Sequence, residues 1–431
     1  MSRAGSSGQE TKTPSKVSAP NPPELVITTG NAIVDAGRPL GLQSRSRGEA
    51  DATSPKEGIL LLESAGFRGE LGGGRIVSVA TSRERLGTSH YARKLYATLG
   101  VELLRTEQPL GNLVKTVRQK QPLLCHLQFE YRAFGGAVRT LLSLPLFVSR
   151  VSQQCPVVVT FHGVVARDSG ARLWDRLSFR VFRTMVRRTA HSASRTVVLS
   201  ERMRSELAAS YGLDNVTVIP MGCDPAPPQR PKPEKPYLLF FGFLRPSKGI
   251  LELLDAYATI ASEFPDLGLV IAGAPAKRQE SAFVVALNDA LARHPFRDRI
   301  TLRNEFISYA EKGLLVQGAA LIVLPYKDRF VEISGVVHDV ASCGTPILCS
   351  DVPRFDELVD EVEALHVPPT PASIATGIRR VLTDARLRTQ LASGLNQLAA
   401  RESWDRIGQS HVELYRATLS AIGPPRDGPK G

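Results

Sequence analysis

The chain of 431 residues has no apolar run long enough to cross a bilayer. Its longest, Leu141–Val148, is interrupted by Ser143 and Pro145, whereas a spanning helix needs ~18–20 residues. A transmembrane protein is therefore not expected. Cysteine is sparse. Cys125, Cys155, Cys223, Cys343 and Cys349 are odd in number, scattered and free of C-x-x-C spacing, which fits neither a disulfide framework nor a zinc site. They read as small buried hydrophobes in a reducing compartment. The opening Met-Ser-Arg-Ala-Gly-Ser-Ser-Gly has no apolar core of the kind a secretory signal carries. Aromatic residues make up only 6% and are not interleaved with the basic ones, so nucleic-acid binding is not expected. The expected location is the cytoplasm.

What the chain does have is an uneven charge. Of a formal net charge of +12, residues 73–222 hold 22 basic and 9 acidic side chains, while the flanking segments are close to neutral. Such a segment should meet something anionic: a membrane surface, a phosphorylated substrate or nucleic acid.

Residues 1–72 are rich in Ser, Pro, Gly and Thr and read as a disordered extension. From Arg75 onward, short β-branched runs alternate with helical stretches. Strands are expected at 75–81, 101–106, 123–127, 157–161, 196–199 and 216–219. After a Pro-rich break, a second series is expected at 237–241, 267–272, 300–303, 321–324, 346–349 and 365–367. Uninterrupted apolar strands alternating with helices mean parallel sheets covered on both faces. The expected fold is α/β, with two Rossmann-like doubly wound domains facing across a ligand cleft. The expected domains are 73–222 and 223–403. A C-terminal helix at 404–420 packs back on the first domain, and a tail covers 421–431.

Two segments carry the chemistry. In Phe241-Gly242-Phe243-Leu244-Arg245-Pro246-Ser247-Lys248-Gly249, Gly242 allows a tight turn between strand and helix. Arg245 and Lys248 set two cations where a helix N-terminus already favours anions. This suits a diphosphate without the P-loop pattern. In Glu332-Ile333-Ser334-Gly335-Val336-Val337-His338-Asp339, a Ser-Gly turn opens a helix. It offers backbone N–H groups to phosphate, and its carboxylates are acceptors for sugar hydroxyls.

Together, "FFGFLRPSKG" and, some eighty residues later, "EISGVVHDVASCGTP" resemble the nucleotide-sugar half of retaining family-4 glycosyltransferases of the GT-B fold (glycosyl transferases group 1). The resemblance runs from about Arg75 to the C-terminal helix. It implies that Arg245 and Lys248 hold the nucleotide diphosphate and that Glu332 contacts the donor sugar. Gly242, Ser334, Gly335 and Val336 would complete the donor site. His162, at the strand end in "VVVTFHGV", would stand near the donor sugar. "HLQFEYRAFGG", "VVLSERMRSEL" and "VIPMGCD" resemble further family segments. The chain departs from the family in three places. Six residues rather than seven separate Glu332 from the second carboxylate, which is Asp339 rather than Glu, so the ribose contact falls to Asp339 or His338. The span from Gly335 to Gly344 is one residue shorter. The usual G-R-L opening is G-F-L, leaving Arg245 to replace the missing Arg.

Other features are read with their alternatives. Gly87 sits in the first βα turn, opposite the diphosphate, or in an ordinary turn. His126, Gln128 and Glu130 alternate at strand spacing, lining an acceptor pocket or ending a strand with polar residues. Arg172, Arg176, Arg180, Arg183 and Arg187 recur at three- and four-residue spacing. They form a basic helix that lies on anionic lipid, or a solvated face over a core stripe.

The implied activity is transfer of a hexosyl group from an NDP-sugar to a hydroxyl of a glycan or lipid-linked acceptor, with retention, in polysaccharide or glycoconjugate synthesis. No metal or other cofactor is expected, since cations and a helix dipole stand in for it. His162, Glu332, Arg245 and Lys248 are the expected catalytic set. The alternatives are a GT-B epimerase or phosphorylase and a non-catalytic nucleotide-binding partner of an active transferase. The expected location extends to the inner membrane face as a peripheral protein.

Overall fold

The computed structural model describes residues 75–83, 87–131, 134, 137–165, 173–229, 231–275, 280–327 and 330–421. The expected extension 1–72, residues 422–431 of the tail, Arg172 and the side chain of Arg176 lie outside the described residues.

The first half builds a six-stranded sheet from β1 (Ile76–Thr81), β2 (Glu102–Thr106), β3 (Leu124–Phe129), β4 (Val157–Phe161), β5 (Arg195–Val198) and β6 (Thr217–Val218). Their order is β2-β1-β3-β4-β5-β6. Between and after them run α1 (Gly87–Leu99), α2 (Leu110–Gln119), α3 (Ala137–Val151), α4 (Leu173–Ser192) and α5 (Glu201–Glu206). The second half repeats the plan with β7 (Tyr237–Phe241), β8 (Gly268–Gly273), β9 (Ile300–Asn304), β10 (Leu321–Leu324), β11 (Ile347–Ser350) and β12 (Leu365–Val367), ordered β12-β11-β10-β7-β8-β9. Its helices are α6 (Ile250–Ile260), α7 (Ser281–Ala292), α8 (Tyr309–Gly318), α9 (Gly335–Val340), α10 (Pro371–Thr383), α11 (Ala385–Arg401) and α12 (Trp404–Ser420).

All pairings within the two sheets are parallel. The reason is legible in strands such as Val157–Phe161 and Leu321–Leu324, where every residue is buried. Helices must cover both faces, and βαβ crossovers supply them. The twelve strands fall within two residues of their sequence-based bounds.

Each half has its own core. The first gathers β1–β5 with α1–α3 and also takes in Trp404, Ile407, Val412, Leu414 and Tyr415 of α12. The chain therefore crosses between the halves twice. The crossings run side by side, with a parallel bridge between Cys223 and Ser403 and the Cys223 N–H donating to Glu402 O at 2.6 Å. The strand order reverses at β1 in the first sheet and at β7 in the second. In doubly wound sheets, the crevice at such a switch point, outside the carboxyl ends of the strands, is where ligands bind.

Candidate functional site

At the β7/β10 switch point the chain turns sharply after Phe241. Gly242 has φ +144°, and its N–H donates to Ala272 O at 3.1 Å. Arg245 then leads into a single 3₁₀ turn, Pro246–Lys248. The turn is fixed to the loop after β10. Gly249 has φ +67°, and a Cβ there would come within 1.8 Å of Pro325 O, so only glycine fits. Lys327 N–H donates to Ser247 O at 2.9 Å. Lys248 is buried, its ammonium 3.3 Å from the ring centroid of Tyr326, a geometry in which the aromatic face attracts the cation. A Cβ at Gly242 would lie 3.5 Å from the Tyr326 hydroxyl and 3.9 Å from Val336 Cγ2. The fold thus brings Gly242, Lys248 and the start of α9 into one crevice. Ser334 precedes α9 without a side-chain cap bond.

The loops after β4 and before α9 meet across the halves. Val164 and Val331 form an antiparallel bridge, with Val164 N–H donating to Val331 O at 2.8 Å. A Cβ on Gly163 would stand 3.6 Å from Glu332 Oε2. This bridge places His162 and Glu332, expected on the donor sugar, on two loops held together by backbone. Arg354 donates through Nη2 to Glu332 Oε1.

His162 directly follows β4, its N–H donating to Phe129 O at 3.2 Å. Its Nε2–H donates to Gln128 Oε1 at 2.7 Å, and its ring packs edge-on against Tyr91 at 4.8 Å. Burial pushes its pKa down to about 3, so the ring is a neutral imidazole. The surrounding bonds agree on the tautomer. Gln128 Nε2 donates to the Tyr96 hydroxyl at 2.6 Å and faces His126 Nε2 at 3.3 Å. The Gln128 oxygen is therefore the atom turned to His162. His126 Nε2, facing that amide and the Thr160 hydroxyl at 2.8 Å, acts as acceptor, and its Nδ1–H donates to the Tyr415 hydroxyl at 2.6 Å.

This corrects one expectation. His126 and Gln128 do share a face, but both are completely buried and line no open pocket. Helix α12, arriving from the far end of the chain, covers that face, and the two residues pass a hydrogen-bonded chain from Tyr415 to His162. Glu130, at the end of β3, is only partly covered and accepts the Thr88 hydroxyl at 3.0 Å. Gly87 opens α1, with open space where a Cβ would project.

His338 and Asp339 turn toward the crossing between the halves. His338 is buried, with Nδ1 3.2 Å from Ser334 O and Nε2 3.3 Å from Glu402 Oε2. Burial alone would lower its pKa; the bond to Glu402 and that carboxylate's charge, with Glu357 and the Ser334 carbonyl, outweigh this and raise it. Asp339 pairs with Lys312 at 3.0 Å and His90 at 3.6 Å. Lys312 also reaches Asp224 at 3.6 Å. Asp224 in turn takes Lys94 and the Trp404 indole N–H at 3.1 Å.

Among the described residues, two groups have donor atoms close enough to share a cation: Cys223–His338–Glu402 and His90–Asp224–Asp339. Lys94 and Lys312 already neutralise the carboxylates of the second, and in the first His338 Nε2 already faces Glu402 Oε2 at 3.3 Å. On α4, Phe179 and Phe182 pack on the first core around Tyr131 and Tyr211, and Val186 is buried in it. Arg180 and Arg183 are exposed and Arg187 is half-buried. The apolar side of this helix is core. No helix of the described residues is long and apolar enough to cross a membrane.

Sequence reasoning missed Tyr326 and Arg354, neither of which sits in a quoted segment, and the ion-pair network of Asp224, the last residue of "VIPMGCD". The lone signal was the position of Tyr326 and Arg354 just past apolar strand ends.

Comparison with known proteins agrees with this geometry. Residues 77–227 match the model described as Glycosyltransferase Family 4, and residues 235–384 the one described as Glycosyl transferases group 1. Alpha-D-kanosaminyltransferase of Streptomyces kanamyceticus is 26% identical over 221 residues, 50% of each chain. D-inositol 3-phosphate glycosyltransferase of Jonesia denitrificans is 28% identical over 197 residues, 44% of this chain and 45% of the relative. The chain thus spans about half the length of these curated relatives. Anabaena HepE in complex with UDP superposes with a TM-score of 0.64 at 17% identity, covering 80% of this chain and 100% of that one. Sucrose-phosphate synthase from Thermosynechococcus elongatus does so with a TM-score of 0.62 at 19% identity, covering 81% and 100%. With family models matching both halves and GT-B neighbours across the whole fold, the chain belongs to the group 1, family-4 glycosyltransferases.

Proposed function

We infer that the protein is a retaining hexosyltransferase that moves a sugar from a nucleoside-diphosphate donor to a hydroxyl of a glycan or lipid-linked acceptor. The observation that carries this reading is the Val164–Val331 bridge. It sets His162, on the loop after β4, and Glu332, on the β10–α9 loop that begins beside Lys248 and Tyr326, at one seam. In the proposed step the bond from the anomeric carbon to the diphosphate oxygen breaks and a bond to the acceptor oxygen forms on the same face. The acceptor proton passes to the departing diphosphate. Arg245 and Lys248 stabilise the negative charge that develops there, in the role a metal would otherwise fill. Glu332 accepts hydroxyls of the sugar. Neutral His162 offers Nδ1 as an acceptor and repels no cationic character at the anomeric carbon. The UDP in the HepE complex supports trying uridine donors first.

The test is a thermal-shift panel of UDP, GDP, ADP, dTDP and their sugars against wild type and an Arg245→Ala/Lys248→Ala double variant. A ligand at ~100 times its dissociation constant stabilises by ~2.7 kcal/mol. A shift with one base, absent in the variant, supports the reading; a panel with no shift favours a non-catalytic role.

We place the protein in the cytoplasm, at an anionic membrane face. The support is the exposed Arg180 and Arg183 of α4 together with Leu142, Leu146 and Val181, which are 52%, 58% and 46% exposed on the neighbouring helices α3 and α4. Exposed apolar side chains and exposed arginines on neighbouring helices suit a headgroup boundary. Failure to co-sediment with anionic liposomes at low salt removes this part.

A further inference from the structure

Glu332 is held by a residue outside every motif. Arg354 lies in the 3₁₀ turn Pro353–Phe355 that follows β11. Its side chain is 6% exposed, against 36% for Glu332. Nη2 donates to Glu332 Oε1, and Nη1 donates to Ile333 O at 3.4 Å. The guanidinium stands 5.8 Å from the ring centroid of Tyr326, the same ring that takes the Lys248 ammonium at 3.3 Å.

The asymmetry of exposure matters. A buried guanidinium is costly unless its hydrogen bonds are made, and the two arms of this planar fork hold Glu332 Oε1 and the neighbouring Ile333 carbonyl, tying the carboxylate to its own backbone. Oε1 is committed to Arg354. Oε2 is the oxygen nearer Gly163, on the seam between the halves. We propose that Arg354 is a positioning residue for donor-sugar recognition: it fixes the Glu332 carboxylate so that Oε2 accepts sugar hydroxyls, and through Tyr326 it ties that carboxylate to the Lys248 cation.

This rests on the donor-site reading above. It predicts a separation. Loss of Arg354 disturbs binding of the sugar and leaves the nucleoside diphosphate, held by Arg245 and Lys248, where it was. A general structural role would weaken both.

The experiment is calorimetric titration of UDP against UDP-glucose, and of GDP against GDP-mannose, with wild type, Arg354→Met, Arg354→Lys, Glu332→Gln and the Glu332→Gln/Arg354→Met double variant. Donor KM and kcat are measured on the same set, and each variant is first checked for cooperative unfolding. For the base that binds, Arg354→Met is expected to keep diphosphate affinity within twofold while sugar-nucleotide affinity falls tenfold or more. Donor KM should rise in parallel. Arg354→Lys keeps the charge without the fork and should recover part of the loss. It is also the fallback should the Met variant fail to fold. The double variant should be no weaker than Glu332→Gln alone, since Arg354 acts through Glu332. Equal losses for diphosphate and sugar nucleotide, an unchanged sugar-nucleotide affinity, or additive losses in the double variant would each overturn the proposal. If wild type binds neither diphosphate nor sugar nucleotide, the donor-site reading itself fails and this proposal falls with it.

Discussion

The neutral state of His162 can be tested without knowing the substrate. Its Nε2–H donates to Gln128 Oε1 at 2.7 Å, and burial holds its pKa at about 3. Replacing Gln128 with Glu keeps the acceptor atom and adds a charge. With the charge centres about 4 Å apart and an effective dielectric near 20, the attraction is about 4 kcal/mol. At 1.36 kcal/mol per unit, that is about 3 pKa units, lifting His162 to around 6. Burial of the new carboxylate takes back part of this. Proton–nitrogen correlation of the imidazoles in histidine-labelled protein reads both state and tautomer, with a His162→Asn variant to assign the signal. Wild type should show His162 as the Nε2–H tautomer with no titration from pH 8 to 5. Gln128→Glu should show a titration within that range, the cation appearing as pH falls. A wild-type His162 that carries its proton on Nδ1, or titrates near 6.5, refutes the assigned direction of the bonds from Tyr415 to His162.

Two further changes probe the framework. Tyr415→Phe removes the hydroxyl at 2.6 Å from His126 Nδ1 and strands a buried N–H, which should cost about 1–3 kcal/mol in urea unfolding. A cycle with His126→Leu should show coupling above about 0.5 kcal/mol, and strict additivity counts against the bond. Gly249→Ala places a Cβ 1.8 Å from Pro325 O at φ +67°. Left-handed backbone alone costs roughly 1–2 kcal/mol, so the variant should lose more than this in thermal unfolding, together with any nucleotide-induced shift. An alanine variant as stable as wild type would mean that the 3₁₀ turn is not clamped as described.

The strands were legible because parallel strands buried on both faces leave unbroken apolar runs, and the Gly242–Gly249 segment because turn glycines and cations sit together in sequence. The roles of His126 and Gln128 were not legible in full. Their spacing gives the shared face, but whether that face is open or closed depends on Tyr415, 289 residues from His126. The Asp224 network is hidden for the same reason, since Lys94, Lys312, Asp339 and Trp404 come from four separate elements.

The Asp339 pairing also bears on how the shortened motif is accommodated. Within a helix one residue is about 100° of rotation, so a carboxylate displaced by one position faces a different neighbour. In α9 that neighbour is Lys312, buried at 8% side-chain exposure, with Asp224 and His90 beside it. Two carboxylates and two ammoniums then share one site at the crossing between the halves. Removing Lys312 alone would leave Asp224 and Asp339 facing each other with Lys94, the Trp404 indole N–H and a histidine whose pKa burial has lowered. The cost of such an uncompensated charge is several kcal/mol, larger than any surface ion pair in the molecule could offset. The second carboxylate of the motif is thus built into the joint between the two sheets.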